Sequence, residues 1–352
     1  MPEELGLERM RALLAELGEP QRAFRAIHVV GTNGKSTTTR MAAALLRGEG
    51  LVAGAYTSPH VSSWAERIWV DGAEAEFEQA VARVRPAAEA IGATQFEVLT
   101  AAALTEFAER GVEAAVVEAG LGGRLDATNV LDAPVVVLTN VSLEHTDVLG
   151  DTREAIADEK LAVVRPGATV VLGQGEWEPK ARDRDAAIVT VVAGSSLALA
   201  HAAVEAFLER RVDPTPAERV QLAGRLERRG DAPLEIWDGA HTLAGAGWLL
   251  PRIPTRRYVL MVSMLADKDV ERFLAALSPL GGTLVATSSS NPRALPADEL
   301  ARAAAGRFGT VEIVPDPPAA VARARELAGP DGAVLVTGSL YLLADLYARP
   351  RT

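Results

Sequence analysis

Residues 26–37 read Ala26-Ile27-His28-Val29-Val30-Gly31-Thr32-Asn33-Gly34-Lys35-Ser36-Thr37. A β-branched apolar run stops at Gly31, a short turn follows, and a helical pattern with Met41, Ala44 and Leu45 on one face runs on to Gly48. Strand, glycine turn, lysine–hydroxyl pair and helix are the layout of a phosphate-binding loop. Gly31 and Gly34 let backbone N–H groups approach an anion with no Cβ in the way. The helix N-terminus adds about half a positive charge. Lys35 supplies a full charge for the outer phosphates, and the Ser36 or Thr37 hydroxyl can meet a magnesium ion. The strict loop pattern asks for glycine at position 29, where this chain has Val29.

Outward from this loop, strands and helices alternate. Residues 7–17 carry helical apolar spacing, closed by Gly18. Residues 52–56 read as a strand, followed by the polar turn Thr57-Ser58-Pro59-His60, and residues 66–72 as a brief strand ending in a turn. Helical patterns cover 74–90 and 96–109. Residues 114–118 form an apolar strand ending in Glu118, and a glycine-rich loop, 121–129, comes next. Another apolar strand, 135–139, leads to Ser142-Leu143-Glu144-His145-Thr146-Asp147. A helix is expected over 151–162, carrying Glu159 and Lys160, and a strand over 168–172. Continuous apolar strands alternating with helices predict a parallel, helix-covered sheet. The polar groups gather after strand ends, where such sheets put their ligands.

The Pro- and charge-rich piece 211–216 reads as a domain linker. A second αβ series follows, with strands expected at 234–237, 257–262, 283–286, 311–314 and 333–336 and a last helix over 340–347. The expected fold is therefore α/β throughout. A P-loop ATPase-type, mostly parallel sheet domain (1–213) precedes a smaller Rossmann-like α/β domain (214–352).

Bulk composition narrows the function. The 352-residue chain has a formal net charge of -11 and no dense Lys/Arg run, which argues against a nucleic-acid partner. It has no cysteine, which excludes disulfides, thiolate metal sites and cysteine nucleophiles. No apolar run approaches the ~18 residues that span a bilayer, and the acidic start Met1-Pro2-Glu3-Glu4 is unlike a signal peptide. A cytoplasmic protein acting on a small anionic ligand is expected.

Lys35/Ser36, Ser58/His60, Glu118 and His145 each follow a strand and could converge on one nucleotide–metal site. Taken singly, each has a structural explanation: a turn serine beside Pro59, a loop carboxylate, a hydrogen-bonded histidine. Glu159-Lys160 would by default be a solvated helix face.

Together, the motifs resemble those of a known family. Gly-Thr-Asn-Gly-Lys-Ser-Thr (31–37), Thr-Ser-Pro-His (57–60) with Glu66-Arg67-Ile68, and Glu118-Ala-Gly-Leu-Gly-Gly-Arg-Leu-Asp-Ala-Thr-Asn129 are similar to the folylpolyglutamate synthase/dihydrofolate synthase branch of the Mur ligases. His145-Thr-Asp-Val-Leu-Gly150, Glu159-Lys160, Gly224-Arg225-Leu226-Glu227, Asp238-Gly-Ala-His241, Asp267-Lys268-Asp269 and Thr337-Gly-Ser-Leu-Tyr-Leu342 fit the same branch in the same order.

The resemblance implies an ATP- and magnesium-dependent amide ligase. It would add L-glutamate to dihydropteroate or a (tetrahydro)folate through an acyl phosphate. By resemblance, Gly31, Thr32, Asn33, Gly34, Lys35, Ser36 and Thr37 hold the phosphates. Ser58, Glu118, His145 and a carbamylated Lys160 bind magnesium, with two ions expected. Arg225 reaches the γ-phosphate and Asp238 the ribose, while Arg67, His241 and Ser339 are candidates for the glutamate site. The catalytic set is Lys35, Lys160, Arg225 and His145. A carboxylate approaching a doubly charged phosphate at ~4 Å meets roughly 8 kcal/mol of repulsion at an effective dielectric of about 20, so cations are required.

Several positions depart from the branch. Ser36 replaces a usual glycine, Glu144 a usual aspartate and Ala223 a proline; Thr242-Leu243 replaces Asn-Pro, and the stretch 173–220 is short. These leave the phosphate and metal chemistry intact and bear on the nucleotide-base contacts and the amino-acid site. The rivals are a Mur-type ligase with a different carboxylate acceptor and a P-loop ATPase switch or non-catalytic homologue. Only about 25 residues precede the first strand in this sequence, so a long nucleotide-sugar-binding domain is not expected before the P-loop, which speaks against the cell-wall ligases. Partners are expected to be small molecules, with no membrane and with the chain as a monomer.

Overall fold

A computed structural model describes residues 6–348, which fall into two compact units. The first comprises Met1–His60 and Trp64–Val220, the second Val61–Ser63 and Gln221–Thr352.

In the first unit the described strands are β1 (Arg25–Val30), β2 (Ala53–Tyr56), β3 (Ile68–Val70), β4 (Ala73–Glu74), β5 (Ala114–Glu118), β6 (Val135–Leu138), β7 (Thr169–Leu172) and β8 (Ile188–Val191). They form one sheet in the order β4-β3-β2-β5-β1-β6-β7-β8. Pairing is parallel from β2 through to β8, and antiparallel where β3 and β4 join the β2 edge. Alternate side chains supply the two faces, as a pleated strand requires. Ala114 and Val116 of β5 pack with Ile27 and Val29 against the helices Lys35–Gly48 and Ser196–Leu208. Ala115 and Val117 pack on the other face, against the helices Phe77–Ile91 and Gln95–Glu109. The latter helix starts one residue earlier than its apolar pattern suggests because Thr94 and Glu97 cap it reciprocally, at 3.3 and 2.7 Å.

The second unit holds β9 (Glu227–Asp231), β10 (Leu234–Trp237), β11 (Val259–Val262), β12 (Thr283–Ala286), β13 (Thr310–Ile313) and β14 (Ala333–Thr337) in the order β13-β12-β11-β14-β10-β9. All neighbours are parallel except β9, which joins β10 antiparallel. Leu260, Val262, Leu284 and Leu335 face the helices Leu243–Leu249, Val270–Leu277 and Ala297–Ala304. Val259, Met261, Val334 and Val336 face Pro317–Ala328 and Leu340–Tyr347. Both sheets are mostly parallel and helix-covered, as the sequence predicts.

Two local expectations change. Residues 64–74 form a 3-10 turn (Trp64–Arg67) and two short strands instead of a single strand. The 211–216 segment is not a linker. Val212 and Ala217 are buried in the first unit's core, Asp213 Oδ1 accepts from the Thr215 amide at 3.1 Å, and a short helix Thr215–Glu218 follows. Proline and charge in this stretch serve a capped turn, and the units divide at Val220/Gln221. No described helix is long and apolar enough to cross a membrane.

Candidate active site

The phosphate-binding loop is shaped from the neighbouring strand. Asn140, just past β6, accepts the Thr32 amide on its carbonyl at 2.9 Å and the Asn33 amide on Oδ1 at 3.1 Å, and its Nδ2 donates to the Asn33 carbonyl at 3.1 Å. Gly31 has φ 145, and a Cβ there would sit 1.9 Å from Thr139 Oγ1. Only glycine fits, on conformation and on space. Lys35, the first residue of its helix, lies back across the loop, donating to the Gly31 carbonyl at 3.0 Å and the Thr32 carbonyl at 3.2 Å.

Glu118 ends β5 and is buried. Its Oε1 accepts from Ser36 Oγ at 3.1 Å and its Oε2 from the Ser58 amide at 3.1 Å. One carboxylate thus ties the P-loop helix to the turn after β2. Arg67 donates from Nη1 to Ser58 Oγ at 3.3 Å and from Nε to His60 Nδ1 at 2.9 Å. Trp64 packs on both, with its ring 4.2 Å from that of His60 and 5.1 Å from the Arg67 guanidinium. Burial, and then the Arg67 charge, lower the His60 pKa, so the ring accepts as a neutral imidazole.

Lys160 is not on a solvated face. It is 2% exposed on the helix Arg153–Leu161, and its Nζ donates at 2.9 Å both to Glu144 Oε1 and to the Gly31 carbonyl. Burial, with the Lys35 charge adding to it, pushes its pKa down to about 8 against the opposing pull of Glu144. Burial works to raise the Glu144 carboxyl, but Lys160 and Lys35 more than offset this and hold it below its usual value. The glycine-rich loop lies on this helix. A Cβ on Gly123 would be 2.6 Å from the Glu159 carbonyl and 2.7 Å from that of Lys160. Arg124 adds an ion pair to Glu159 at 2.7 Å.

His145 follows Glu144 in the left-handed conformation (φ 47) and opens the short helix Thr146–Leu149. Its side chain is exposed and makes no hydrogen bond among the described residues. Also among the described residues, no group of three or more His, Cys, Asp or Glu side chains is arranged to hold a metal. The structure therefore joins Ser36, Ser58 and Glu118 by direct bonds, and Lys35 to Lys160 through the Gly31 carbonyl, with Glu144 bonded to Lys160. It does not hydrogen-bond His145 to either set.

Sequence reasoning missed a buried chain beside these groups. His28 Nε2 lies 2.9 Å from Thr128 Oγ1, Thr128 bonds Asp126 Oδ1, and Asp126 Oδ2 accepts the Leu121 amide at 2.8 Å. Burial, then Arg165, push the His28 pKa down to about 3, so the ring is neutral. Burial raises the Asp126 pKa against its hydrogen bonds. The one available signal was a histidine inside an otherwise apolar strand. Asn140 carried no sequence signal.

In the second unit, Asp238 follows β10 and is buried. Its Oδ2 accepts from the Leu226 amide and its Oδ1 from the Ala240 amide, each at 2.9 Å. Burial raises its pKa against these bonds and the Arg225 charge. His241 Nδ1 is 2.8 Å from the Gly239 carbonyl. Ser339 is buried and caps the last helix, its Oγ accepting from the Tyr341 and Leu342 amides at 3.1 and 3.4 Å.

A parallel nucleotide-type sheet with a shaped phosphate loop, a carboxylate at the next strand end and a second αβ unit define a ligase of the Mur type. Family comparison agrees: residues 29–174 match the Mur ligase middle domain and residues 224–340 the Mur ligase glutamate ligase domain. A dihydrofolate synthase/folylpolyglutamate synthase of Mycobacterium tuberculosis is 34% identical over 380 aligned positions, covering 86% of this chain and 78% of that one. The Escherichia coli FolC complex with DHPP and ADP superposes with a TM-score of 0.89 at 29% identity, covering 99% of this chain and 94% of the other. A bifunctional folylpolyglutamate synthase/dihydrofolate synthase with Mn, AMPPNP and L-glutamate bound gives a TM-score of 0.88 at 29% identity, with 98% and 94% covered. The chain belongs to the dihydrofolate synthase/folylpolyglutamate synthase family.

Proposed function

We propose that this chain joins L-glutamate to dihydropteroate, a (tetrahydro)folate or both, using ATP. The observation that carries the reading is Glu118, whose carboxylate is bonded both to the P-loop serine and to the Ser58 turn. The relatives' bound ADP, AMPPNP and L-glutamate support it. A carboxylate oxygen of the acceptor attacks the γ-phosphorus of ATP, the bond to the β-phosphate oxygen breaks, and ADP leaves. The glutamate amine then attacks the acyl carbon, the C–O bond to phosphate breaks, and inorganic phosphate departs as the amine sheds a proton. Lys35 and the loop amides hold the phosphates, and Arg225 and Asp238 are the proposed contacts of the second unit to γ-phosphate and ribose. Arg67, His241 and Ser339 are the proposed glutamate contacts. Ser339's oxygen already accepts two amides, so it can offer only its proton.

Oxygen donors at Ser36, Ser58 and Glu118 suit a hard divalent ion. Ser58, Glu118, His145 and Lys160 would hold magnesium, which when bound offsets phosphate charge as the nucleophile approaches. For Lys160 the proposal is a carbamate: its neutral amine adds to the carbon of CO2 and loses a proton, giving an anionic oxygen ligand in place of a cation. Mass spectrometry and 13C-bicarbonate labelling test this. We place the enzyme in the cytoplasm as a monomer with only small-molecule partners.

The test is ADP release in mixtures of ATP, magnesium, glutamate and dihydropteroate or tetrahydrofolate. Release that requires both acceptor and glutamate supports the ligase. Release without either would instead indicate a nucleotide switch, and no product from any pterin acceptor would overturn the folate assignment.

A further inference from the structure

Arg225 sits in a strained turn. Gly224 before it has φ 60 and Leu226 after it φ 50, the left-handed region that costs a residue with a Cβ about 1–2 kcal/mol. Such a turn persists only where its surroundings over-determine it. Here three successive amides are held. Gly224 donates to Glu227 Oε2 at 2.9 Å, Arg225 to the Leu222 carbonyl at 3.2 Å, and Leu226 to Asp238 Oδ2 at 2.9 Å. The Arg225 guanidinium makes no hydrogen bond among the described residues. It passes over Gly239, where a Cβ would be 3.0 Å from Nη1.

Glu227 is held in turn from the end of the last helix. Tyr347 donates its hydroxyl to Glu227 Oε2, the oxygen that takes the Gly224 amide, and Arg229 donates to Oε1 at 2.9 Å. Arg229 also donates to Tyr347 Oη at 3.3 Å and lies 4.3 Å from the Trp237 ring and 5.0 Å from the Tyr347 ring. Trp237 and Tyr347 meet edge to face at 5.5 Å, and the Trp237 indole donates to buried Glu235 at 2.7 Å. Neither Tyr347 nor Glu227 bonds the Arg225 side chain. Their grip is on the backbone that aims it.

We propose that Tyr347 and Glu227 are positioning residues for Arg225, setting the direction of its guanidinium through the Gly224 amide. The inference rests on Arg225 being a phosphate contact in the ligase reaction. A guanidinium that must meet developing charge loses rate when it is displaced by a fraction of an ångström, even with all its own atoms present. An anchor that merely docks the last helix would lower stability and leave the rate of folded enzyme unchanged.

The experiment is a double-mutant cycle in the full-length chain, read by ADP release at varied ATP with thermal melts alongside. Arg225→Ala should lower kcat by about 100-fold. Tyr347→Phe and Glu227→Gln should each lower kcat by about threefold to tenfold, the worth of one positioning hydrogen bond. In the Arg225→Ala background, adding Tyr347→Phe should cost no further rate. Full activity of folded Tyr347→Phe and Glu227→Gln, or an equal loss from Tyr347→Phe in both backgrounds, would overturn the positioning role alone. Full activity of Arg225→Ala would overturn the phosphate role and the positioning role with it.

Discussion

Lys35 and Lys160 donate to the same oxygen, the Gly31 carbonyl, at 3.0 and 2.9 Å. The residues lie on different helices, one opening the P-loop helix and the other near the end of Arg153–Leu161. Two ammonium groups on one acceptor repel each other, and the Lys160 bond to Glu144 at 2.9 Å offsets part of that repulsion. A phosphate beside Lys35 would relieve more.

Lys35→Ala should lower acceptor-dependent ADP release by ~10²-fold or more, because it removes the cation that the loop itself offers to the outer phosphates. Steady-state ADP assays check it, with circular dichroism to confirm folding. Activity within twofold of the parent would sink the phosphate-loop assignment.

Glu118→Gln keeps the shape but removes the charge. It should raise the divalent-ion concentration needed for half-maximal rate, while the amide oxygen can still accept the Ser58 amide and the amide NH2 can donate to Ser36 Oγ. A magnesium titration reads this; an unchanged midpoint would place the metal elsewhere.

Gly31→Ala puts a methyl where Thr139 Oγ1 already sits, at 1.9 Å. Overpacking of this kind costs about 1–3 kcal/mol, with backbone strain in addition. Thr139→Ala removes the clashing hydroxyl, so the double variant should be more stable than the sum of the singles, by a coupling of ~0.5 kcal/mol or more in chemical denaturation. Strict additivity would contradict the packing.

His28 gives a pH signature. Its folded pKa, about 3, lies below the unfolded 6.5, so only the unfolded chain takes up the proton as pH falls through that window. Its contribution is fully present above pH ~6.5 and is lost progressively toward pH ~3, by up to about 1.4 kcal/mol per pH unit. Between about pH 6.5 and 5, before most carboxylates titrate, His28→Gln should flatten the fall in unfolding free energy. An identical slope in the variant would mean His28 is charged or solvated in the fold.

The alternation of apolar strands and amphipathic helices is legible because both sheet faces are covered, which makes β6 apolar throughout and β5 and β14 apolar up to their last residues, Glu118 and Thr337. The last helix, expected over roughly 340–347, forms over Leu340–Tyr347. The antiparallel β9, with its sequence Glu-Arg-Arg-Gly-Asp, carries no such signal and is not among the expected strands, and the edge strand β8 (Ile-Val-Thr-Val) is not among them despite its β-branched run. Among site residues, Lys35, Ser58 and Glu118 stood out because they follow strand ends. The Lys160–Glu144 pair is 16 positions apart and comes together only through packing. The Asn140 clamp, 107 positions from Asn33, is likewise a product of the parallel pairing of β1 with β6.

That clamp bears on how the site comes into being. The loop from Gly31 to Gly34 is held by Asn140 and by the Thr32 hydroxyl's bond from the Ser142 amide at 3.1 Å, both partners lying past β6, so it cannot form before β1 and β6 are in register. Nucleotide affinity should then appear late during refolding, after long-range strand pairing, and a chain that has acquired helix but not this pairing should bind no phosphate. Time-resolved nucleotide fluorescence during refolding would make the binding site a reporter on the sheet that builds it.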